Sequence, residues 1–288
     1  MARHLTVARM AEGLSLAWNT ANDAILAEGK RALIDDTTRF DGVTAIGAGE
    51  HVWRHARRGG KYVTVTWLSQ RPKDWRDGIE VVAMDGFTGF KTATTEELLD
   101  AVTVMDPFHV VRLAGDALDR CRRRIQQIIH GHRGRKDDPL YRARRTLHTG
   151  ADLLTGKQKD RLLALFAADE HVQVEATWTI YQQMIAAYRV PGRTRGCALM
   201  VKLIESLSHG VPAALSEPIT VGRTLKQHGD DVLAYFDRPG TSNGPTEAIN
   251  GRLEHLRGSA PGFRNLTNYI ARSLLETGGF RPRLHPRL

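Results

Sequence analysis

Two short apolar runs that each finish on an aspartate constrain this chain most: Glu80-Val81-Val82-Ala83-Met84-Asp85 and Ala101-Val102-Thr103-Val104-Met105-Asp106. Both are of strand length and rich in valine, and they read as buried strands. A helical segment around Thr94 to Asp100 lies between them. Sheets of α/β proteins place their chemistry at the carboxyl ends of strands, where Asp85 and Asp106 fall. Two further runs, Val43 to Gly47 and Lys61 to Thr66, also read as strands, joined by a polar loop that holds Arg57, Arg58, Gly59 and Gly60. The fold class expected is therefore α/β. A long helix opens near Pro107 and runs towards His130, and residues from about Asp137 to Tyr235 are almost wholly helical. No period of 20 to 50 residues recurs, which argues against a solenoid.

The N-terminal 41 residues read as helical. Thr6 to Ala11, a turn at Gly13-Leu14-Ser15 and a second helix opening near Ser15 and running through Trp18 to Leu26 make a helix-turn-helix pattern, which any helical hairpin would share. At the other end, Asn243 or Gly244 caps a helix with Pro245 at its first position, and Ile249, Leu253 and Leu256 form its apolar stripe. Glu247 stands in the first turn, and Arg252, His255 and Arg257 bring positive charge nearby. An acid at that position complements the helix dipole, or it belongs to a site.

The formal net charge is +9, and the excess is uneven. Arg120, Arg122, Arg123, Arg124, Arg133, Arg135 and Lys136 crowd one stretch, as a protein that contacts a phosphate backbone would have them. A solvated helix face is the alternative. The two cysteines, Cys121 and Cys197, form no ligand pair by spacing, which fits a reduced intracellular compartment. No apolar run is long enough to cross a bilayer, and no phosphate-cradling glycine loop is present, so neither a membrane nor a nucleotide cofactor is expected. His51 with His55, and His130 with His132, lack the thiol or acid that would complete a zinc spacing.

The string Ser242-Asn243-Gly244 with Glu247 and Asn250, the arginine-bearing helix, Gly262-Phe263-Arg264-Asn265 and the tail Tyr269 to Leu275 together resemble the C-terminal signature of bacterial insertion-sequence transposases of the ISL3 family. The resemblance covers nearly the whole chain. It implies an RNase H-like DDE catalytic core with a reduced sheet and a helical insertion at about 137–235, spanning 42–288, with a helix-turn-helix remnant at 1–41. It also implies double-stranded DNA as partner, with a second copy or an intact transposase as further partners, a cytoplasmic, nucleoid-associated location, and two Mg²⁺ ions held by three carboxylates. Carried over residue by residue, Glu247 matches the last acid and Asp85 the second, both metal ligands. Met105-Asp106-Pro107-Phe108-His109 matches an element whose Asp and His lie near the site, although Asp106 before Pro107 also reads as a helix cap.

Three departures stand out. Where the family carries I-G-x-D-E-H, this chain reads Ile46-Gly47-Ala48-Gly49-Glu50-His51, with Gly49 at the first acid. Glu50 would point to the opposite face of a regular strand, so it substitutes only if the strand is bulged or already ended. Between Trp67 and Gly78 there is too little chain for the further antiparallel strand and helix of an RNase H-like core, which implies an internal deletion and an uncovered sheet edge. The zinc ribbon that precedes the helix-turn-helix in the family is not seen, as expected of a chain that starts partway. Together these give three readings: an inactive or impaired transposase, a non-catalytic DNA-binding protein that interferes with an intact one, or a decayed product.

Overall fold

The computed structural model describes residues 7–49, 60–86, 88–132, 134–259 and 266–278. Helices α1 (Val7–Gly13) and α2 (Trp18–Leu33) lead into strand β1 (Ala45–Ala48), then α3 (Gly60–Ser69) and α4 (Lys73–Asp77). Strand β2 (Val81–Met84), helix α5 (Thr88–Glu97), strand β3 (Val102–Met105) and helix α6 (Pro107–His130) follow. The helical block comprises α7 (Pro139–Ala143), α8 (Gly156–Phe166), α9 (Val172–Arg189), α10 (Arg193–Ser208), α11 (Ser216–Gln227) and α12 (Gly229–Asp237). The last helices are α13 (Gly244–Ser259) and α14 (Leu266–Thr277).

The three strands form one parallel sheet in the order β1-β2-β3, with Ala48 opposite Met84 and Met84 opposite Met105. Parallel neighbours need crossovers, which α3 with α4 and then α5 supply. Burial is graded across the sheet. Val82, Ala83, Met84, Val104 and Met105 are buried, whereas β1 alternates between exposed and half-buried residues. Among the described residues β1 pairs only with β2 and is the outer strand.

One expectation is overturned. Lys61 to Thr66 is not a strand but part of α3, despite its run of Val and Thr. A helix satisfies its own main-chain hydrogen bonds, whereas a lone strand must find a neighbour, and β propensity yields readily to such context. The helix packs against α5, and its Leu68 joins Ile79, Val82 and Leu98 in a small core beneath the sheet.

A larger core is built on α6. Val110, Ala114, Ala117, Leu118, Cys121 and Ile125 recur on one face and pack with residues of α9, α10 and α11, Met184, Met200 and Leu225 among them. The helical block is fastened to the sheet by a buried charge. Asp231 of α12 accepts a hydrogen bond from Thr103 Oγ1 in β3 (2.5 Å) and meets Lys91 Nζ of α5 at 2.8 Å. Helix α2 lies against α14: Arg272 Nη2 donates to Asn22 Oδ1 at 2.5 Å, and the Leu275 side chain crowds Gly29. Helix α2 is thus packed on the last described helix, and α1 on α2.

Candidate active site

The register of the sheet places positions 49, 85 and 106 side by side, each directly after the last paired residue of its strand. Neighbouring strands lie about 4.8 Å apart, so side chains leaving this edge can converge. Asp85 is half-buried and follows the central strand. Gly49 occupies the corresponding place after β1 and contributes no carboxylate. Glu50 lies outside the described residues.

Asp106 is fully engaged. Its Oδ1 accepts the Phe108 amide at 2.7 Å, the expected cap of α6, with Pro107 at the first helical position. Its Oδ2 accepts the Ser242 hydroxyl at 2.9 Å and the Asn243 amide at 2.5 Å. Asn243 is wholly buried, and its Nδ2 donates to the Ala48 carbonyl at the end of β1, 2.9 Å away. The carboxylate of Asp106 therefore holds the turn that opens α13, and the side chain of that turn holds β1. Both ties act on the first turn of the helix that carries Glu247.

Glu247 stands about half exposed, and its Oε1 lies 3.4 Å from His109 Nε2 in the first turn of α6. That nitrogen is buried and makes no hydrogen bond, so the contact becomes an ion pair only when the imidazole is protonated. Tyr188, close enough to Asp106 to feel its charge, stacks on Phe236. Burial raises the Tyr188 hydroxyl far above its ordinary range, with the charges of Tyr235 and Asp106 adding to the effect.

Space at position 49 is limited. A β-carbon there would meet Thr246 Cγ2 at 3.0 Å and Asn250 Nδ2 at 3.2 Å. At Gly47 it would come within 2.1 Å of Thr246 Oγ1, so α13 rests directly on the end of β1 only because glycine is there. Among the described residues no three His, Cys, Asp or Glu side chains are arranged to hold a metal ion. Among the described residues Asp85, Glu247 and His109 thus do not form such a group.

The cationic residues divide into two classes. Arg122 is buried, bonded to Asp119 at 3.0 Å and to Gln126 Oε1 at 2.6 Å. Arg124 grips Glu217 through two contacts of 2.8 Å and also reaches Gln173. These two guanidinium groups are committed inside the helical block. Arg120, Arg123, Arg135, Lys136 and Arg252 are exposed, Arg257 pairs with Glu254 at 2.8 Å, and Arg133 lies outside the described residues. Sequence reasoning had no means of assigning Arg124 to the first class, because its partner Glu217 is 93 residues away. It also missed Ser242 and Thr246; the Ser-Asn-Gly string was the signal.

The ISL3 model of DDE transposases, described as a transposase, matches residues 36–273. The chain belongs to this family. Two transposases for insertion sequence element IS1557, from Mycobacterium tuberculosis strains CDC 1551 / Oshkosh and ATCC 25618 / H37Rv, are each 25% identical to it over 232 residues. The match covers 72% of this chain and 51% of each relative, so this ISL3 family member spans about half the length of those transposases. No solved structure matches it. Among its described residues, no helix is long and apolar enough to cross a membrane.

Proposed function

We propose that this ISL3 family member keeps the DNA-facing scaffold of an RNase H-like DDE transposase but not a working catalytic centre. The observation that carries this reading is Gly49. The register sets three positions in a row at the carboxyl edge, and the first of them holds no carboxylate. Asp85 and Glu247 are the retained acids in this reading, His109 is the neighbour of Glu247, and Asp106 is a positioning residue. The geometry of β1 supports the inferred internal deletion, since an outer strand exposed on alternate residues is what loss of adjoining antiparallel strands would leave.

The substrate class is double-stranded DNA, supported by the exposed Arg120, Arg135, Lys136 and Arg252, which form no ion pair among the described residues. α1 and α2, joined by the turn at Leu14-Ser15, are the remnant of the DNA-binding helix-turn-helix. A chain that binds DNA without cutting it would compete with an intact transposase, and the pairing of exposed cations with Gly49 favours that second reading.

An excision assay in cells tests both. A marked element supplied with this chain alone is expected to stay in place. Supplied with an intact ISL3 transposase, the chain is expected to reduce excision. Excision driven by this chain alone would overturn the first reading, and unchanged excision under co-expression would overturn the second.

A further inference from the structure

Helix α6 starts at the candidate site and ends in a glycine-rich basic loop, and its solvent face carries Arg112, Asp116, Arg120 and Arg123 in succession. From Arg112 to its end at His130 the helix advances about 27 Å, roughly four-fifths of a turn of B-DNA. The acids on this face are compensated. Arg112 meets Asp116 at 3.8 Å, and Asp119 lies between the buried Arg122 (3.0 Å) and the exposed Arg123 (2.9 Å). Burial works against ionisation of Asp119, but its arginine partners and His148 outweigh it, and the carboxyl stays below its ordinary range. Arg122 therefore neutralises Asp119 from within, which leaves the charge of Arg123 in excess outside. Arg120 makes no ion pair among the described residues.

The loop beyond α6 rests on three buried polar side chains that the candidate site does not use. Arg122 Nη1 donates to Gln126 Oε1 at 2.6 Å, and Gln126 Nε2 donates to Asp138 Oδ2 at 2.5 Å. Asp138 Oδ1 in turn caps α7 by accepting the Leu140 amide at 2.8 Å. Gly134 has φ +97°, and a β-carbon there would come within 2.1 Å of Gln126 Nε2, so the loop backbone is seated directly on the buried amide. Above this seat Arg135 and Lys136 are exposed and form no ion pair among the described residues.

We propose that the outer face of α6 and the loop carrying Arg135 and Lys136 form one track for the phosphate backbone of duplex DNA, leading to Glu247, with Arg122, Gln126 and Asp138 as its buried support. This rests on the reading of the chain as a DNA-binding family member, and it says where the duplex lies. Arg120, Arg135 and Lys136 supply the unneutralised charge, and Arg123 adds its excess.

The test is equilibrium binding of a 20-base-pair duplex by the full chain across a range of salt concentrations. Changing Arg120, Arg135 and Lys136 to Ala together should lower the slope of log affinity against log salt by about 2.5 in magnitude. Changing Lys157, Lys159 and Arg161 of α8 to Ala removes the same charge elsewhere and should change the slope far less. Equal effects of the two triples would overturn the track while leaving DNA binding intact, and no binding by the parent chain would overturn both. Tighter binding of an A-form RNA duplex would assign the face to RNA and overturn the proposal. If the first triple unfolds, phenylglyoxal labelling of Arg120 and Arg135 in the parent decides: protection by duplex is expected, and labelling unchanged by duplex overturns the track.

Discussion

The Asn243 amide donates to Asp106 Oδ2 at 2.5 Å, joining residues 137 positions apart in sequence and fixing the start of α13 to the end of β3. The same carboxylate caps α6, and the Asn243 side chain reaches the carbonyl that ends β1. One buried acid thereby sets the relation between two strands of the sheet and the helices that carry His109 and Glu247. Asp106→Asn removes the charge and keeps only one good acceptor for three donors. The expected cost is about 2 kcal/mol, seen as a fall in Tm of about 5 °C. Hydrogen exchange should quicken in the first turns of both α6 and α13. Faster exchange confined to α6 would mean that Asp106 is only a helix cap.

Gly49→Asp restores a carboxylate at the empty position but meets Thr246 Cγ2 and Asn250. Overpacking of this kind costs about 1–2 kcal/mol. The double change Gly49→Asp with Thr246→Ser removes the crowding methyl group and should recover at least half of the lost stability. Equal thermal stability of the single variant and the parent would show that α13 yields without strain.

Acid sensitivity should arise in the helical block. The Arg124 guanidinium holds the Glu217 carboxyl below its ordinary range, against the opposing effect of burial. A depressed folded-state pKa adds stability that is complete above the unfolded value, near 4.5. It is lost as pH falls through the lower folded value. Glu217→Gln should therefore lower Tm at pH 7, by about 5 °C, and the difference from the parent should shrink as the pH is taken well below 4. A difference that stays constant across that range would mean the pair contributes no charge-dependent stability.

Much of the path to the site is legible in local sequence. Pro107 after an aspartate and an apolar face recurring along the chain placed α6, and Gly244-Pro245 placed the start of α13. The Val-rich runs before Asp85 and Asp106 became β2 and β3. What local pattern does not encode is the partner. Lys61 to Thr66 looked like a strand because β-branched residues favour one, but the helix it forms needs no neighbouring strand and packs on α5. Asp106 read as a cap or a site residue because Ser242 and Asn243 are remote in sequence. Arg124 counted as surface charge because Glu217, 93 residues away, becomes its partner only after folding.

The most direct measurement is Mg²⁺-dependent nicking of a supercoiled plasmid carrying the DNA that flanks this gene. The account predicts that the chain retards the plasmid on a gel but produces no more nicked circle than a protein-free control, with or without Mg²⁺. Mg²⁺-dependent nicking by the unmodified chain, abolished in Glu247→Gln, would contradict it.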